Sequence, residues 1–328
     1  MKDRKGSFRF GSRSAVRLGD LAQLVRAPAA LSVPGDVLAG AAAAGRPLNA
    51  RVLGTIGSSV CLYWAGMALN DYADATVDSV ERPQRPVPSG RVPRRTALAV
   101  AGGLTAAGLG LAVAANGRRG LLGALPLTGL IWAYDLGLKA TPAGPATMAA
   151  ARTVDVLSGA LTAAPTATAL RRGAAPAALV GAHTYTLTAL SRHEISGAPT
   201  RVPAATLAVS TATALAAALP VRGTASTTAP VDFRTPATAV TPATAITPAT
   251  AVTTTGTFAY LATYGTAQAR AVRDPSAANV RRAVGAGILG LMPLQATLTA
   301  RAGARAVAAA LGVVHPLARR LARRISPT

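Results

Sequence analysis

Cysteine is nearly absent from this 328-residue chain: Cys61 stands alone, which excludes an internal disulfide and any multi-cysteine metal or redox centre. Histidine is almost as scarce. His183, His193 and His315 are scattered, and their spacing fits no zinc site. Charged residues make up only 14% of the chain, well under the roughly 25% of soluble domains. Acids are the rarer charge, with 12 Asp and Glu against 34 Lys and Arg. Residues 1–20 are basic and lack the apolar core of a secretory signal, so they read as a cytoplasmic arm.

What fills the chain instead is apolar. Half of the residues are hydrophobic and the mean hydropathy is +0.35. A helix of about 20 apolar residues spans a bilayer core, and charge-free windows of that length occur at Thr96–Gly117, "TALAVAGGLTAAGLGLAVAANG", and at Ala283–Ala300. Helices satisfy their own backbone groups in hydrocarbon. The pattern therefore predicts an all-α, polytopic membrane bundle of about nine transmembrane helices, at roughly 22–45, 52–70, 96–117, 119–138, 144–165, 174–191, 203–220, 253–270 and 283–300.

Gly102, Gly103, Ala106 and Gly110 illustrate the small residues that let such helices approach closely. Alternate loops on the N-terminal side carry more than twice the Lys and Arg of the opposite loops, which predicts a cytoplasmic N-terminal side. The net charge of +22 is then read as anchoring to lipid headgroups at segment ends, and no nucleic-acid partner is expected. Residues 21–325 form the expected membrane domain, interrupted by a low-complexity loop at 221–255. That loop contains "TPATAVTPATAITPATAV" at 235–252, where a proline every six residues opposes helix and favours extended chain.

Four of the 12 acids lie between Asp71 and Glu81, in "ALNDYADATVDSVERPQRPVPSGRVPRR". At about 100° per residue, Asn70, Asp71, Asp74 and Asp78 fall within an arc of about 100° on one helix face. Oxygen ligands crowded on one stripe repel one another unless a cation lies between them. Hard oxygen donors suit Mg²⁺, which binds through a few carboxylates plus substrate phosphates. Arg82, Arg85 and Arg91 follow, and guanidinium forks match phosphate oxygens. Carboxylates for metal followed by arginines for phosphate describe a metal-diphosphate site at the membrane face. Asp71 is also a candidate to help deprotonate an acceptor or product.

This stretch, N-D-x-x-D-x-x-x-D followed by "RPQRPVPSGRV", resembles the first signature of the UbiA superfamily of intramembrane prenyltransferases. The segment "LVRAPAALSVPGDVLAG" at 24–40 is similar to the family's first helix, and "DPSAANVRRAVGAGILGLMPL" to a bacterial branch of EboC-type proteins. The resemblance implies a diphosphate-contacting lysine near "YDLGLKATPAGP", for which Lys139 is the candidate. It also implies a second signature, D-x-x-x-D, where this chain reads "TALSRHEISGAPT". There Glu194 is the one carboxylate left for metal, and Arg192 is a candidate to contact diphosphate directly.

Two further charges interrupt a predicted span. Arg152 and Asp155 are three residues apart in "MAAARTVDVLSGALTA", share a helix face and are expected to pair with each other, on the wall of a cavity near substrate. Asp36 follows Pro34–Gly35, a pair expected to break the first span and expose the carboxylate.

The resemblance thus implies Mg²⁺-dependent transfer of a prenyl group from an isoprenyl diphosphate to an aromatic or alcohol acceptor, in a bacterial cytoplasmic membrane with the site on the cytoplasmic face. The alternative from another class is a non-catalytic membrane protein that binds or moves a lipid-like metabolite on a degenerate version of this fold. A CDP-alcohol phosphotransferase is disfavoured because its D-G-x-x-A-R signature is missing.

Overall fold

The computed structural model describes residues 16–163, 166–219 and 248–314; the N-terminal arm up to residue 15, most of the hexad segment and the basic tail lie outside them. Among the described residues the chain is helical and has no strand. The helices are α1 (Leu18–Leu24), α2 (Val33–Ala43), α3 (Ala50–Ala73), α4 (Ala75–Glu81), α5 (Arg94–Asn116), α6 (Leu121–Leu136) and α7 (Gly144–Ala160). They continue with α8 (Ala167–Ser191), α9 (Arg201–Ala218), α10 (Pro248–Tyr260), α11 (Thr266–Arg273), α12 (Ala277–Arg301) and α13 (Arg305–Val314).

Among the described residues, three stretches are long and apolar enough to cross a bilayer: Ala50–Ala73, Arg94–Leu136 and Ala277–Arg301. Local chemistry explains several boundaries. Asn49 caps α3 by accepting from the backbone N–H groups of Arg51 and Val52, at 3.0 and 3.1 Å. Thr166 caps α8 through Ala169 N–H at 3.0 Å. Gly117, with φ of 63°, takes the left-handed conformation that ends α5 and lets the chain turn into α6.

Two expectations are revised. The first predicted span is not one helix, because a 3₁₀ turn at Ala27–Ser32 separates α1 from α2. Pro34 falls in the first turn of α2, where its missing N–H has no intrahelical partner to lose. Pro34–Gly35 therefore starts a helix, and Asp36 is fully buried, not exposed. Likewise, the loop expected to reach residue 255 gives way at Pro248 to α10. Pro248 is the last proline before residue 275, and the chain stays helical from there through a π-helical turn at Leu261–Gly265 into α11. The remainder of the hexad segment lies outside the described residues.

The short helix α2 is the pivot of the bundle, packing against α3, α7, α8 and α12. Its contact with α7 is built on two reciprocal glycines. A Cβ on Gly40 would lie 1.8 Å from the Val156 carbonyl oxygen, and one on Gly159 would lie 2.0 Å from that of Val37. Close backbone approach of this kind replaces the hydrophobic driving force that helices lack in lipid.

Several helix ends meet at one end of the bundle: the joint of α3 and α4, the 3₁₀ turn Leu138–Ala140 after α6, and the segment after α8. Lys139 reaches Asp74 at 2.6 Å, Arg192 donates to the Thr141 carbonyl, and Ala198 N–H donates to the Pro275 carbonyl at 3.0 Å. The loops expected on one face are thereby gathered together.

Candidate functional site

The acidic stripe survives the end of α3. Although α3 ends at Ala73, the i→i+4 ladder continues from Asp74 N–H to Asn70 O, Asp78 N–H to Asp74 O, and Arg82 N–H to Asp78 O, each at 2.8 Å. The register is kept, and Asn70, Asp71, Asp74 and Asp78 stay on one side. Asp71 and Asp78 are both 1% exposed, which no carboxylate tolerates without partners.

The stripe's partners come from three parts of the chain. Arg85 binds Asp78 Oδ2 at 2.5 Å and lies 3.6 Å from Asp71 Oδ1. Arg82 is 3.4 Å from Asp78 Oδ1. Lys139 Nζ, brought in by the turn after α6, is 2.6 Å from Asp74 Oδ1. Arg26 arrives from the link between α1 and α2, 3.0 Å from Asp71 Oδ1, and donates to Asn70 Oδ1 at 3.3 Å. The structure therefore brings Asn70, Asp71, Asp74, Asp78, Arg82, Arg85 and Lys139 together.

Arg26 and Asp135 are additions. Arg26 has φ of 45°, an uncommon conformation for a residue with a side chain, and its guanidinium lies over the carboxylates. The segment read as a continuous first helix concealed it. Asp135, in the last turn of α6, is 6% exposed and accepts from Asn70 Nδ2 at 3.3 Å. It is the second residue of "YDLGLKATPAGP", the segment quoted for Lys139, and its nearness to that lysine was the one available signal.

Other predicted residues take different roles. Arg91 does not join the site; it binds Asp20 and Gln23 of α1, each at 2.7 Å. Arg192 borders the site, held on the Thr141 carbonyl. Glu194 does not meet the other carboxylates. Its backbone oxygen accepts from Arg281 at 3.1 Å, and burial pushes its carboxyl above the ordinary value against the opposing charges of Arg82 and Arg281.

The expected pairing of Arg152 with Asp155 is incorrect. Arg152 Nε lies 2.9 Å from Asp36 Oδ2, and its guanidinium carbon is 5.2 Å from the Tyr63 ring centre. Asp36 also accepts from Gln295 Nε2 at 2.7 Å, while Asp155 accepts from Ser59 Oγ at 2.5 Å. Shared face on α7 was outweighed by α2, which inserts Asp36 against the guanidinium. Tyr63 is seven residues from Asn70 along α3, about 10 Å at 1.5 Å per residue, so this cluster is separate from the acidic stripe.

Among the described residues, no three His, Cys, Asp or Glu side chains form a ready-made metal cage. The donor set still fits Mg²⁺, which takes one or two carboxylates and completes its shell with water and substrate phosphate. Asp71 supports the fit, because its Oδ2 is buried without a hydrogen-bond partner.

The chain aligns with digeranylgeranylglyceryl phosphate synthase of Methanopyrus kandleri at 41% identity over 110 residues, 34% of this chain and 38% of that protein. The Ignicoccus hospitalis enzyme of the same name is 37% identical over 119 residues, 36% of this chain and 39% of the relative. These alignments span about two-fifths of the curated relatives. The fold is similar to the apo structure of a UbiA homologue from Aeropyrum pernix K1, with a TM-score of 0.59 at 19% identity, covering 82% of this chain and 96% of that one. A structure described for digeranylgeranylglyceryl phosphate synthase in membranes gives 0.57 at 13% identity, covering 87% and 98%. The family model for UbiA prenyltransferases matches residues 33–282, from α2 into α12, and takes in the whole acidic stripe and Lys139; the chain is an integral membrane protein belonging to the UbiA prenyltransferase family.

Proposed function

We propose that this chain transfers a prenyl group from an isoprenyl diphosphate to an alcohol acceptor within the membrane, with Mg²⁺ as cofactor. One observation carries the reading: buried carboxylates and cations from distant parts of the chain interlock at one end of an apolar bundle, with Arg85 bridging Asp71 and Asp78 at 3.6 and 2.5 Å. Such a set binds a charged headgroup while the surrounding helices receive an apolar tail. Of the aromatic and alcohol acceptors that the sequence leaves open, the relatives' name, with its glyceryl phosphate, favours the alcohol.

In this reading Asp71, Asp74, Asp78 and Asn70 hold the metal, which when bound screens phosphate charge and withdraws electrons from the leaving diphosphate. Arg26, Arg82, Arg85 and Lys139 bind phosphate oxygens. Because they are already fixed by carboxylates, they meet the growing charge of the leaving group without reorganising. Arg192 closes the rim. The apolar helix walls exclude water from the allylic carbon as its bond to oxygen breaks. The site end is proposed to face the cytoplasm; Ser79→Cys in a Cys61→Ser background should resist an impermeant thiol reagent in intact cells, and efficient labelling would reverse the orientation.

The reaction is tested by following diphosphate release from geranylgeranyl diphosphate by purified protein, with and without Mg²⁺, across alcohol and aromatic acceptors. Wild type should release diphosphate and Asp71→Asn should not. Metal-dependent binding without release from any acceptor would instead identify a carrier.

A further inference from the structure

Three of the four carboxylates at the site end have a basic group within salt-bridge distance: Asp71 has Arg26, Asp78 has Arg85, and Asp74 has Lys139, at 3.0, 2.5 and 2.6 Å. Asp135 is the exception. It is 6% exposed, and among the described residues its hydrogen-bond partner is a neutral amide, Asn70 Nδ2 at 3.3 Å. The cations whose charge reaches it most are Lys139 and then Arg26. Both are already engaged, Lys139 by Asp74 and Arg26 by Asp71.

The same Asn70 amide also donates to Asp74 Oδ2 at 3.1 Å. Two carboxylates from separate helices thus converge on one nitrogen. At that spacing in a low-dielectric setting like charges repel strongly, and Lys139, already paired with Asp74, is the main cation the two share. A second observation points the same way: Asp71, adjacent to Asn70, keeps Oδ2 buried and unpartnered. Glu194, by contrast, has the opposing charges of Arg82 and Arg281 around it.

We propose that Asp135 is a ligand of the divalent cation that accompanies the diphosphate, acting with Asp74 and Asn70 across the α3–α6 contact. This rests on the reading of the site as a metal-diphosphate site. It gives the C-terminal end of α6 and the 3₁₀ turn that follows it linked chemical roles, with Asp135 directed to the metal and Lys139 to phosphate. A site divided between helices in this way assembles only when α6 is docked on α3, so metal affinity reports the packing of that pair.

The experiment titrates Mn²⁺ into the purified full-length protein, monitored by electron paramagnetic resonance, with and without a non-reacting geranylgeranyl thiodiphosphate. Wild type, Asp135→Asn, Asp135→Glu and Glu194→Gln are compared. Even groups that only hydrogen-bond to a metal ligand change affinity by roughly 10–100-fold, so Asp135→Asn should weaken analogue-dependent Mn²⁺ binding by at least about tenfold and alter the zero-field splitting of the bound ion. Glu194→Gln should stay within about twofold of wild type. Wild-type affinity and spectrum in Asp135→Asn would overturn the assignment while leaving the diphosphate site standing. Absence of analogue-dependent Mn²⁺ uptake by wild type would defeat the site itself. If Asp135→Asn does not fold, Asp135→Glu decides: it keeps the charge but displaces the oxygens, and an unchanged spectrum and affinity would reject ligation.

Discussion

The pairing of Arg152 with Asp36 makes the sharpest prediction about what holds the bundle together. Asp36 is 0% exposed, and Arg152 is its salt-bridge partner at 2.9 Å, with Gln295 adding a hydrogen bond at 2.7 Å. Replacing Arg152 by Met keeps much of the side-chain volume but leaves the carboxylate with only the amide. Breaking a buried pair in this way destabilises by about 3–5 kcal/mol, because one charge stays behind uncompensated. Ordinary polar contacts between membrane helices average only about 0.6 kcal/mol in double-mutant cycles, so the two cases are separable. The assay is SDS-driven reversible unfolding in mixed micelles for Arg152→Met, Asp36→Asn and the double variant. A second cycle uses Arg152→Met with Asp155→Asn. Coupling between residues 36 and 152 should exceed about 1.5 kcal/mol, within the range for residues in direct contact, and should be much the larger of the two. Equal or greater coupling of Arg152 to Asp155 would refute the reasoning and restore the pairing that helix spacing alone suggests.

Three further outcomes follow from the same contacts. Gly40→Ala places a methyl 1.8 Å from the Val156 carbonyl, so it should lower stability by at least the 1–3 kcal/mol typical of overpacking, measured by the same unfolding titration. Arg85→Ala should weaken Mg²⁺-dependent prenyl diphosphate binding by roughly 10–100-fold, the equivalent of one charged hydrogen bond, whereas Arg91→Ala, whose partners are Asp20 and Gln23, should leave affinity within about twofold; equal effects would show that the loop acts through bulk charge. Burial raises the Glu194 carboxyl above its ordinary value, so the folded state binds its proton more tightly than the unfolded state, and this contribution is lost as pH rises through the folded value. Stability should fall over that interval in wild type and less steeply in Glu194→Gln, as read from unfolding midpoints across pH.

Helices such as α3, α5 and α12 were legible because long apolar windows leave the backbone little alternative in lipid. The acidic stripe was legible too, since one helix fixes which side chains share a face, and the backbone ladder through Asp74 preserves that register beyond the end of α3. Relations between helices were not. Nothing in the spacing of Arg152 and Asp155 announces that Asp36, more than 100 residues earlier, reaches the guanidinium first. That depends on how closely α2 approaches α7, which Gly40 and Gly159 permit. Asp135 escaped notice for the same reason. Its significance comes from Asn70 on α3, and one-helix patterns carry no trace of a contact across two.

The gathering of scarce acids in so basic a chain has a physical explanation in these contacts. Arginines and a lysine placed together at a membrane face would repel one another and sample many rotamers. Asp71, Asp74 and Asp78 hold Arg26, Arg85, Arg82 and Lys139 in fixed positions before any ligand arrives. Ordering those long side chains on binding would otherwise cost about 0.5–1.5 kcal/mol each. In the proposed reaction a metal-diphosphate unit enters with charges of both signs, so carboxylates turn to the metal and cations to phosphate. One set of charge pairs is exchanged for another, and no charge is left buried alone. Asp135 fits this scheme as the carboxylate with no cation to surrender, and the entering metal provides its counter-charge.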